Sequence, residues 1–330
     1  MRTSDLISQL QEQSGLLSKR DIRSAAQVFD HQPFPELGLM ARLGDDTAVI
    51  PRQAGQLLFA CEGMQPSLVE SDPWFAGWSG VLVNLSDIAA MGGRPLAVVN
   101  SVWTSGPETL AALLEGLKFA CDRFAVPMVG GHSNQHSPYQ ALSVAVLGAA
   151  DGPVLSARNA DAGDELWLLI NQKGSFYRDY PFWDAATSAP PVQLRRHLSL
   201  LPELAAAGIV RAAKDISMGG ITGTAVMFAE ACGHSLRLEL DCINPPSGVE
   251  LVRWLTCFPS FGYLLAVHPS QKDALEYHLT HHSDLTCCRV GHFSSGKANV
   301  RLLVQGVTEL LWHGEEALTG FGCVDCDSMQ

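Results

Sequence analysis

Runs of basic residues are missing from this 330-residue chain, in which 22 Lys and Arg stand against 34 Asp and Glu, a formal net charge of −12. A nucleic-acid binder needs clustered cations that displace counterions from phosphates, so we expect no nucleic-acid partner. No apolar stretch approaches the roughly 20 residues that span a bilayer, and the first residues show no apolar segment typical of a secretion signal. The sequence therefore predicts a cytoplasmic protein that does not enter a membrane.

Two common nucleotide-binding motifs are also missing. The chain has no GxxxxGK[ST] phosphate loop and no GxGxxG between a predicted strand and helix. Neither a Walker-type nor a Rossmann-type site is therefore expected.

The nine cysteines do not form a clear metal-binding pattern. Most lie among apolar residues, where reduced, buried thiols are expected. Cys323 and Cys326 form a lone CxxC, and Cys287-Cys288 follows His281-His282. Because one CxxC supplies only half a zinc site, free thiols are favoured over structural zinc.

Length and pattern predict two domains of mixed α and β structure. Both halves alternate predicted strands and helices, and a Gly-, Asp- and Ala-rich stretch near residue 152 separates them, which gives domains of 1–152 and 153–330. A helix is expected over 74–91, since Gly92-Gly93 and Pro95 form a strong stop signal. Residues 174–192 form an aromatic, Pro-rich insertion of the kind that is often functional or mobile. Charged residues make up only 17% of the chain, which favours an oligomer.

The first polar constellation is Asp45-Asp46, directly after Gly44. Adjacent carboxylates on a glycine turn repel each other, and a cation between them removes that cost. A solvated turn is the alternative.

The second constellation is Asn84 with Asp87 on the helix over 74–91. Residues three apart share a helix face, and the sequence places Leu85, Ile88 and Ala89 on the opposite, core-facing side. A carboxylate among small apolar residues costs free energy unless it is paired or binds a metal. The alternative is an aspartate that caps a neighbouring loop.

Glycine pairs mark the third and fourth constellations. Gly130 and Gly131 end a predicted strand, where positive φ would let a backbone approach a ligand, and His132 follows as a phosphate donor, a metal ligand or an ordinary loop histidine. Asp215 comes before Gly219-Gly220 at a strand-to-helix junction, where exposed N–H groups favour an anion. The alternative there is a helix capped by Ser217.

None of these patterns is specific alone, but their order is. LGDDTAVI, NLSDIAAMGGRP, VPMVGGHSN and DISMGGITGTAVMFAEACG together resemble the aminoimidazole-ribonucleotide (AIR) synthetase-related superfamily over roughly residues 40–305. NLSDIAAMGGRP is the most specific piece.

The resemblance implies a PurM-like two-domain fold, in which N-terminal domains of a homodimer form a β-barrel and ATP binds in a cleft through Mg²⁺. Family positions that hold metal and phosphate correspond here to several acidic residues, with polar and glycine positions beside them. The acidic positions are Asp45, Asp46, Glu62, Asp87 and Asp215, and the remaining ATP-binding positions are Asn84, Gly130, Gly131, His132, Gly219 and Gly220.

Two departures from the family pattern affect the expected chemistry. His132 and Met218 stand where the family usually has Asp, and Mg²⁺ prefers oxygen ligands, so the sequence predicts one fewer metal or a different grip on phosphate. The resemblance implies a Mg²⁺-dependent ATP enzyme of a subgroup of unassigned activity, which phosphorylates or activates a small molecule, with Asp45, Asp46 and Asp87 as its catalytic residues. The alternative is a non-catalytic dimeric homologue that binds a nucleotide or metabolite.

Overall fold

A computed structural model describes residues 3–24, 45–51 and 54–321. Gly44, Cys323 and Cys326 lie outside these residues. In chain order, the helices are α1 Thr3–Gln11, α2 Ser14–Leu17, α3 Pro66–Ser71, α4 Pro73–Ala90, α5 Pro107–Phe124, α6 Pro191–Ala206, α7 Gly220–Cys232, α8 Leu251–Leu255 and α9 Lys272–Leu279. The strands are β1 Ala48–Pro51, β2 Gln56–Gly63, β3 Arg94–Trp103, β4 Met128–Asn134, β5 Ala141–Ala150, β6 Glu165–Ile170, β7 Ser175–Phe176, β8 Phe182–Asp184, β9 Ala212–Asp215, β10 Ser235–Glu239, β11 Phe258–Pro259, β12 Gly262–Val267, β13 Thr286–Ser294, β14 Val300–Val304 and β15 Val307–Trp312.

The chain divides into two compact units, which confirms the mixed α/β, two-domain class. The N-terminal unit comprises Asp46–Val154 with Ala186–Glu203, and the C-terminal unit comprises Met1–Asp45, Leu155–Ala185 and Leu204–Gln330. These units differ from a single cut after residue 152, because α1 and α2 bury leucines in the C-terminal core. A hydrogen bond from Arg123 to the Ala189 carbonyl ties the segment before α6 to the N-terminal unit.

The N-terminal unit contains an open five-stranded sheet in the order β1-β2-β5-β3-β4. Helix α4 packs against β2, β3 and β5 of this sheet. Strands β1 and β2 form an antiparallel hairpin. Gly55 adopts a φ of +75° just before β2, a conformation that glycine adopts at little cost. The hairpin makes β1 an edge strand, and β4 is the opposite edge.

Two glycines bring α4 and α5 into close contact in the N-terminal unit. A Cβ on Gly116 would lie 2.0 Å from the Trp74 carbonyl oxygen, and one on Gly77 would lie 2.3 Å from the Leu113 carbonyl oxygen. Only residues without a side chain allow this approach. Helix α4 is consequently buried along nearly its whole surface, polar residues included.

The C-terminal unit contains a seven-stranded mixed sheet in the order β15-β14-β10-β13-β6-β12-β9. Helix α7 packs on one face of this sheet, with Phe228 against Phe293 in an edge-on contact at 5.1 Å between centroids. Helices α1 and α2 join the same core through Leu6, Leu10 and Leu16.

The insertion over 174–192 is partly a small sheet, in which β7 pairs with β8 and β8 pairs with β11. Buried Trp183 donates its indole N–H to the Asn171 carbonyl at 3.0 Å and packs edge-on against Trp254. The Arg253 guanidinium lies 3.7 Å from the Phe176 ring centroid. Phe176 and Trp183 of the insertion therefore belong to a packed aromatic cluster within the C-terminal unit.

None of the helices in the described residues is long and apolar enough to cross a membrane.

Candidate functional site

Helix α4 carries the two polar residues of the most specific motif, Asn84 and Asp87, and both are buried. Asn84 is completely inaccessible and Asp87 is 7% exposed. Leu85, Ile88 and Ala89 are fully buried, as expected of a core-facing side, and Asn84 on the other face is equally buried. The helix is enclosed by the sheet on one side and by α5 on another.

Only one of the two polar atoms of the Asn84 amide has a hydrogen-bond partner among the described residues. Its Nδ2 donates to the Gly80 carbonyl at 2.8 Å, whereas its buried Oδ1 has no hydrogen-bond partner among the described residues. A buried acceptor left without a donor costs about 1–3 kcal/mol. The oxygen is therefore suited to receive a ligand group or a metal ion.

Asp87 lies in the last turn of α4, where its carbonyl accepts from the Met91 N–H at 3.2 Å. The last turn of this helix carries no basic residue. A negative side chain is disfavoured at a helix C-terminus because the helix dipole places negative charge there, and burial disfavours the same charge. A cation beside Asp87 would offset both effects.

Glu62 lies at the end of β2, on the helix-covered side of the N-terminal sheet. It is paired with Val144 of β5, and partners in register point to the same face. Val144 approaches α4, since its Cγ2 lies 3.1 Å from where a Gly80 Cβ would be. The structure thus places Glu62 on the side of the sheet that α4 covers, at an exposed strand end.

The glycine pair at 130–131 is not a loop. Both glycines lie within the extended edge strand β4, which continues to Asn134, and neither has positive φ, so the expectation of a strand end with positive φ was wrong. Gly131 fits because a Cβ there would lie 2.8 Å from the Asn100 carbonyl oxygen. His132 is paired with Ser101, and its ring lies 6.4 Å from that of Trp103, which places it on the face opposite Glu62.

In the C-terminal unit, Asp45 caps a short 3₁₀ helix, Ala157–Asn159. Its carboxylate accepts a hydrogen bond from the Ser156 hydroxyl and one from the Ala157 N–H at 3.1 Å. Half-buried Asp45 is therefore already held by protein donors. Asp46, its neighbour in sequence, is half-buried in the N-terminal unit.

Asp215 ends strand β9 and is 7% exposed. The Thr224 hydroxyl donates to the Asp215 carbonyl at 3.4 Å, which links the strand end to α7. The neighbouring Lys214 is 6% exposed, a rare position for lysine. A lone Lys in the apolar strand AAKD was the only signal.

Local packing explains why position 220 of the glycine pair at 219–220 is a glycine. Gly220 has a φ of +67°, and a Cβ there would lie 2.4 Å from the Leu255 carbonyl oxygen. Gly219 is the N-cap residue of α7 and makes no side-chain cap, so the alternative of a cap by Ser217 was wrong. A Cβ on Gly15 would lie 1.9 Å from the Met218 carbonyl oxygen, so α2 packs directly on this junction.

The cysteines of the described residues are free thiols. Burial raises the pKa of Cys288 to about 11 and also raises the pKa of Cys287, and a zinc ligand must be the thiolate. No group of three or more metal-ligating His, Cys, Asp or Glu side chains occurs within the parts of the chain that the structure describes.

Comparisons with known proteins agree with this arrangement. Residues 44–150 match the AIR synthase related protein, N-terminal domain, and residues 177–302 match its C-terminal domain. An uncharacterised protein of Synechocystis sp. is 47% identical over 267 residues, which cover 81% of this chain and 82% of that protein. A thiamine-monophosphate kinase of Methanospirillum hungatei is 31% identical over 126 residues, which cover 36% of this chain and 43% of the kinase.

A solved structure supports the fold. PurL of Thermotoga maritima, in complex with ATP, matches with a TM-score of 0.67 and 16% identity over 80% of this chain. The present chain spans 45% of that protein's length. Its identity is low, so the likeness concerns the fold alone. With both domain matches and the Synechocystis relative, the chain belongs to the AIR synthase related protein family.

Proposed function

We propose that this protein is a Mg²⁺-dependent enzyme that uses ATP to phosphorylate or activate a small molecule carrying an amide, a carboxylate or a phosphate. The family includes ATP-using relatives, among them a kinase. The observation that carries the proposal is the buried pair on α4, in which the Asn84 oxygen has no donor among the described residues and Asp87 lies at a helix C-terminus.

The oxygen atoms of the N-terminal unit fit Mg²⁺, which prefers carboxylate and amide oxygens. Asp87 and Asn84 on α4 would hold the ion together with the ATP phosphates, because Mg²⁺ often takes only one or two protein carboxylates and completes its shell with phosphate and water. Metal roles for Asp46 and Glu62 stay predictions. When bound, the ion neutralises charge on the ATP phosphates, and catalysis of phosphoryl transfer depends largely on such neutralisation and on positioning. Asn84 and Asp87 would orient the ion and, through it, the ATP phosphates. The burial of α4 would keep water away from these two side chains.

The remaining predicted residues would not hold the ion directly, or their roles stay predictions. Asp45 is engaged by Ser156 and Ala157, so its contribution would be to position the neighbouring Asp46. Roles in phosphate binding for Gly130, Gly131, His132, Asp215, Gly219 and Gly220 stay predictions.

We also propose that the protein forms a homodimer through the open face of the N-terminal sheet. Three apolar side chains on that face are well exposed: Phe59 at 47%, Val99 at 39% and Leu147 at 36%. Phe59 and Leu147 are directly paired across β2 and β5, so they form a contiguous patch. Apolar patches of this kind are typical of protein interfaces, and the family resemblance implies a barrel formed by two such sheets.

The decisive experiment is calorimetric titration of ATP into the full chain, with and without Mg²⁺. Wild type is expected to bind ATP only with Mg²⁺. Asp87→Asn should weaken that binding at least about tenfold, a loss seen even for residues that merely support a metal ligand. Glu115→Gln removes one exposed carboxylate from the same unit and should bind like wild type.

Two outcomes would count against the proposal. If wild type does not bind ATP, the assignment as an ATP-dependent enzyme is wrong. If Asp87→Asn binds ATP as tightly as wild type, α4 does not form the metal site. ATP binding without ADP formation, across a panel of small amides, carboxylates and phosphates, would favour the non-catalytic alternative.

A further inference from the structure

A row of three basic residues, two arginines and a histidine, crosses the C-terminal sheet. Arg301 on β14 is paired in parallel register with Arg237 on β10, and Arg237 is paired in antiparallel register with His292 on β13. Directly paired residues point to the same face with Cβ atoms about 4.5–5.5 Å apart. Two arginines and a histidine therefore lie side by side on one face of three adjacent strands.

The acidic groups near this row are already shared. Glu239 is bound by Arg289 through contacts of 2.9 and 3.3 Å, and Arg237 lies 3.4 Å from the same carboxylate. Glu165 also pairs with Arg289, at 3.2 Å. Two carboxylates thus serve Arg237 and Arg289, and Arg301 makes no ion pair within the part of the chain that the structure describes.

Local electrostatics reflect the excess of positive charge. Burial lowers the pKa of His292, and the nearby Arg237 and Arg289 lower it further, against the opposing charge of Glu239. The Nε of Arg237 is buried and has no hydrogen-bond partner among the described residues. Like charges directly opposite on neighbouring strands destabilise a sheet, so an anion at this position would be stabilising.

The row lines one side of a groove of about 440 Å³. The other residues that line it include Ser294, Lys297, Asn299 and Thr308. The Asn299 side-chain oxygen accepts from the Gly314 N–H at 3.0 Å, so its NH₂ group is what remains to face a ligand. The lining offers guanidinium, amide and hydroxyl donors together, and the volume falls within the range of small-molecule sites.

We propose that this groove binds the phosphate group of a small phosphomonoester, at a site separate from the proposed ATP site. Arginine guanidinium groups hold phosphate oxygens in a planar, two-point geometry, and the paired Arg237 and Arg301 present two such groups. The groove is larger than a phosphate ion, so the organic part of the ligand would lie against Ser294, Asn299 and Thr308.

The test is calorimetric titration of the full chain with inorganic phosphate and with glycerol 3-phosphate, at constant ionic strength. Both should bind wild type, and glycerol 3-phosphate should bind more tightly. Arg301→Gln should weaken both by about tenfold, the usual effect of losing one hydrogen bond to a charged group. Arg301→Lys keeps the charge and should lose less, while Arg195→Gln, which removes an exposed arginine of α6, should bind like wild type.

A comparison with the ATP site separates the two proposals. Arg301→Gln should keep Mg²⁺-dependent ATP binding, and Asp87→Asn should keep phosphate binding. Equal phosphate affinity in wild type and Arg301→Gln, or no phosphate binding at all, would overturn the groove assignment without affecting the ATP site. Loss of ATP binding together with phosphate binding in Arg301→Gln would also overturn it, since the two ligands would then share one site.

Discussion

The buried carboxylate of Asp87 should make the protein less stable when Mg²⁺ is absent. It is 7% exposed and lies in the last turn of α4, where the helix dipole opposes a negative charge. That opposition is typically 0.3–1 kcal/mol, or up to about 2 kcal/mol in partly buried positions. Asp87→Asn keeps the shape and removes the charge, so we expect about 1 kcal/mol of added stability in EDTA.

This change is measurable as a shift of the thermal midpoint. One kcal/mol corresponds to roughly 2–4 °C for a domain of 150–250 residues, so Asp87→Asn should melt about that much higher than wild type in EDTA. With Mg²⁺ and ATP at about 100 times the dissociation constant, ligand binding should raise the free energy of unfolding of wild type by about 2.7 kcal/mol. The free energy of unfolding of the variant should rise little. The order of the two midpoints should then be reversed.

A different result would refute the reasoning. If Asp87→Asn melts lower than wild type in EDTA, the carboxylate acts mainly as a structural acceptor, as in the alternative of an aspartate that caps a neighbouring loop. If both proteins gain equally from Mg²⁺ and ATP, Asp87 does not hold the metal. Glu115→Gln, at an exposed position, should stay within about 0.5 kcal/mol of wild type in both buffers.

Two further changes test the packing and the proposed dimer. Gly116→Ala should lower the free energy of unfolding by about 1–3 kcal/mol, measured by urea denaturation, because its Cβ would lie 2.0 Å from the Trp74 carbonyl oxygen. Gly223→Ala, in a helix where the nearest atom is a Leu16 side-chain carbon at 3.4 Å, should be neutral or gain up to about 1 kcal/mol. Phe59→Asp places a charge on the exposed patch and should convert a dimer to a monomer in light scattering with the circular dichroism unchanged. A dimer that persists would locate the interface elsewhere.

Local signals predicted the helices that carry the site. Helix α4 ends at Ala90 and is followed by Gly92 with a φ of +74°, as the glycine stop signal implies. Pro107 is the first residue of α5, as its preference for a first turn implies. These features depend on a few neighbouring residues, so the sequence alone contains them.

Features that depend on strand pairing were not predictable in the same way. The Gly130-Gly131 pair suggests a strand end with positive φ, but its contacts with Asn100 on β3 keep it extended within an edge strand. The direction of His132 follows from its register with Ser101, which no local pattern contains. Helix α1 looked like part of the N-terminal domain, yet its Gln11 donates to the Leu311 carbonyl at 2.8 Å.

The row of Arg237, Arg301 and His292 shows most clearly why such sites are missed in a sequence. Arg237, His292 and Arg301 each stand alone among apolar or small residues, and the chain as a whole is strongly acidic. Their charges meet only because β14 pairs in parallel with β10 while β13 pairs on its other side. A net charge of −12 is a sum over the whole chain and gives no information on one groove. An anionic protein can therefore carry a local phosphate site, and register rather than composition determines where it lies.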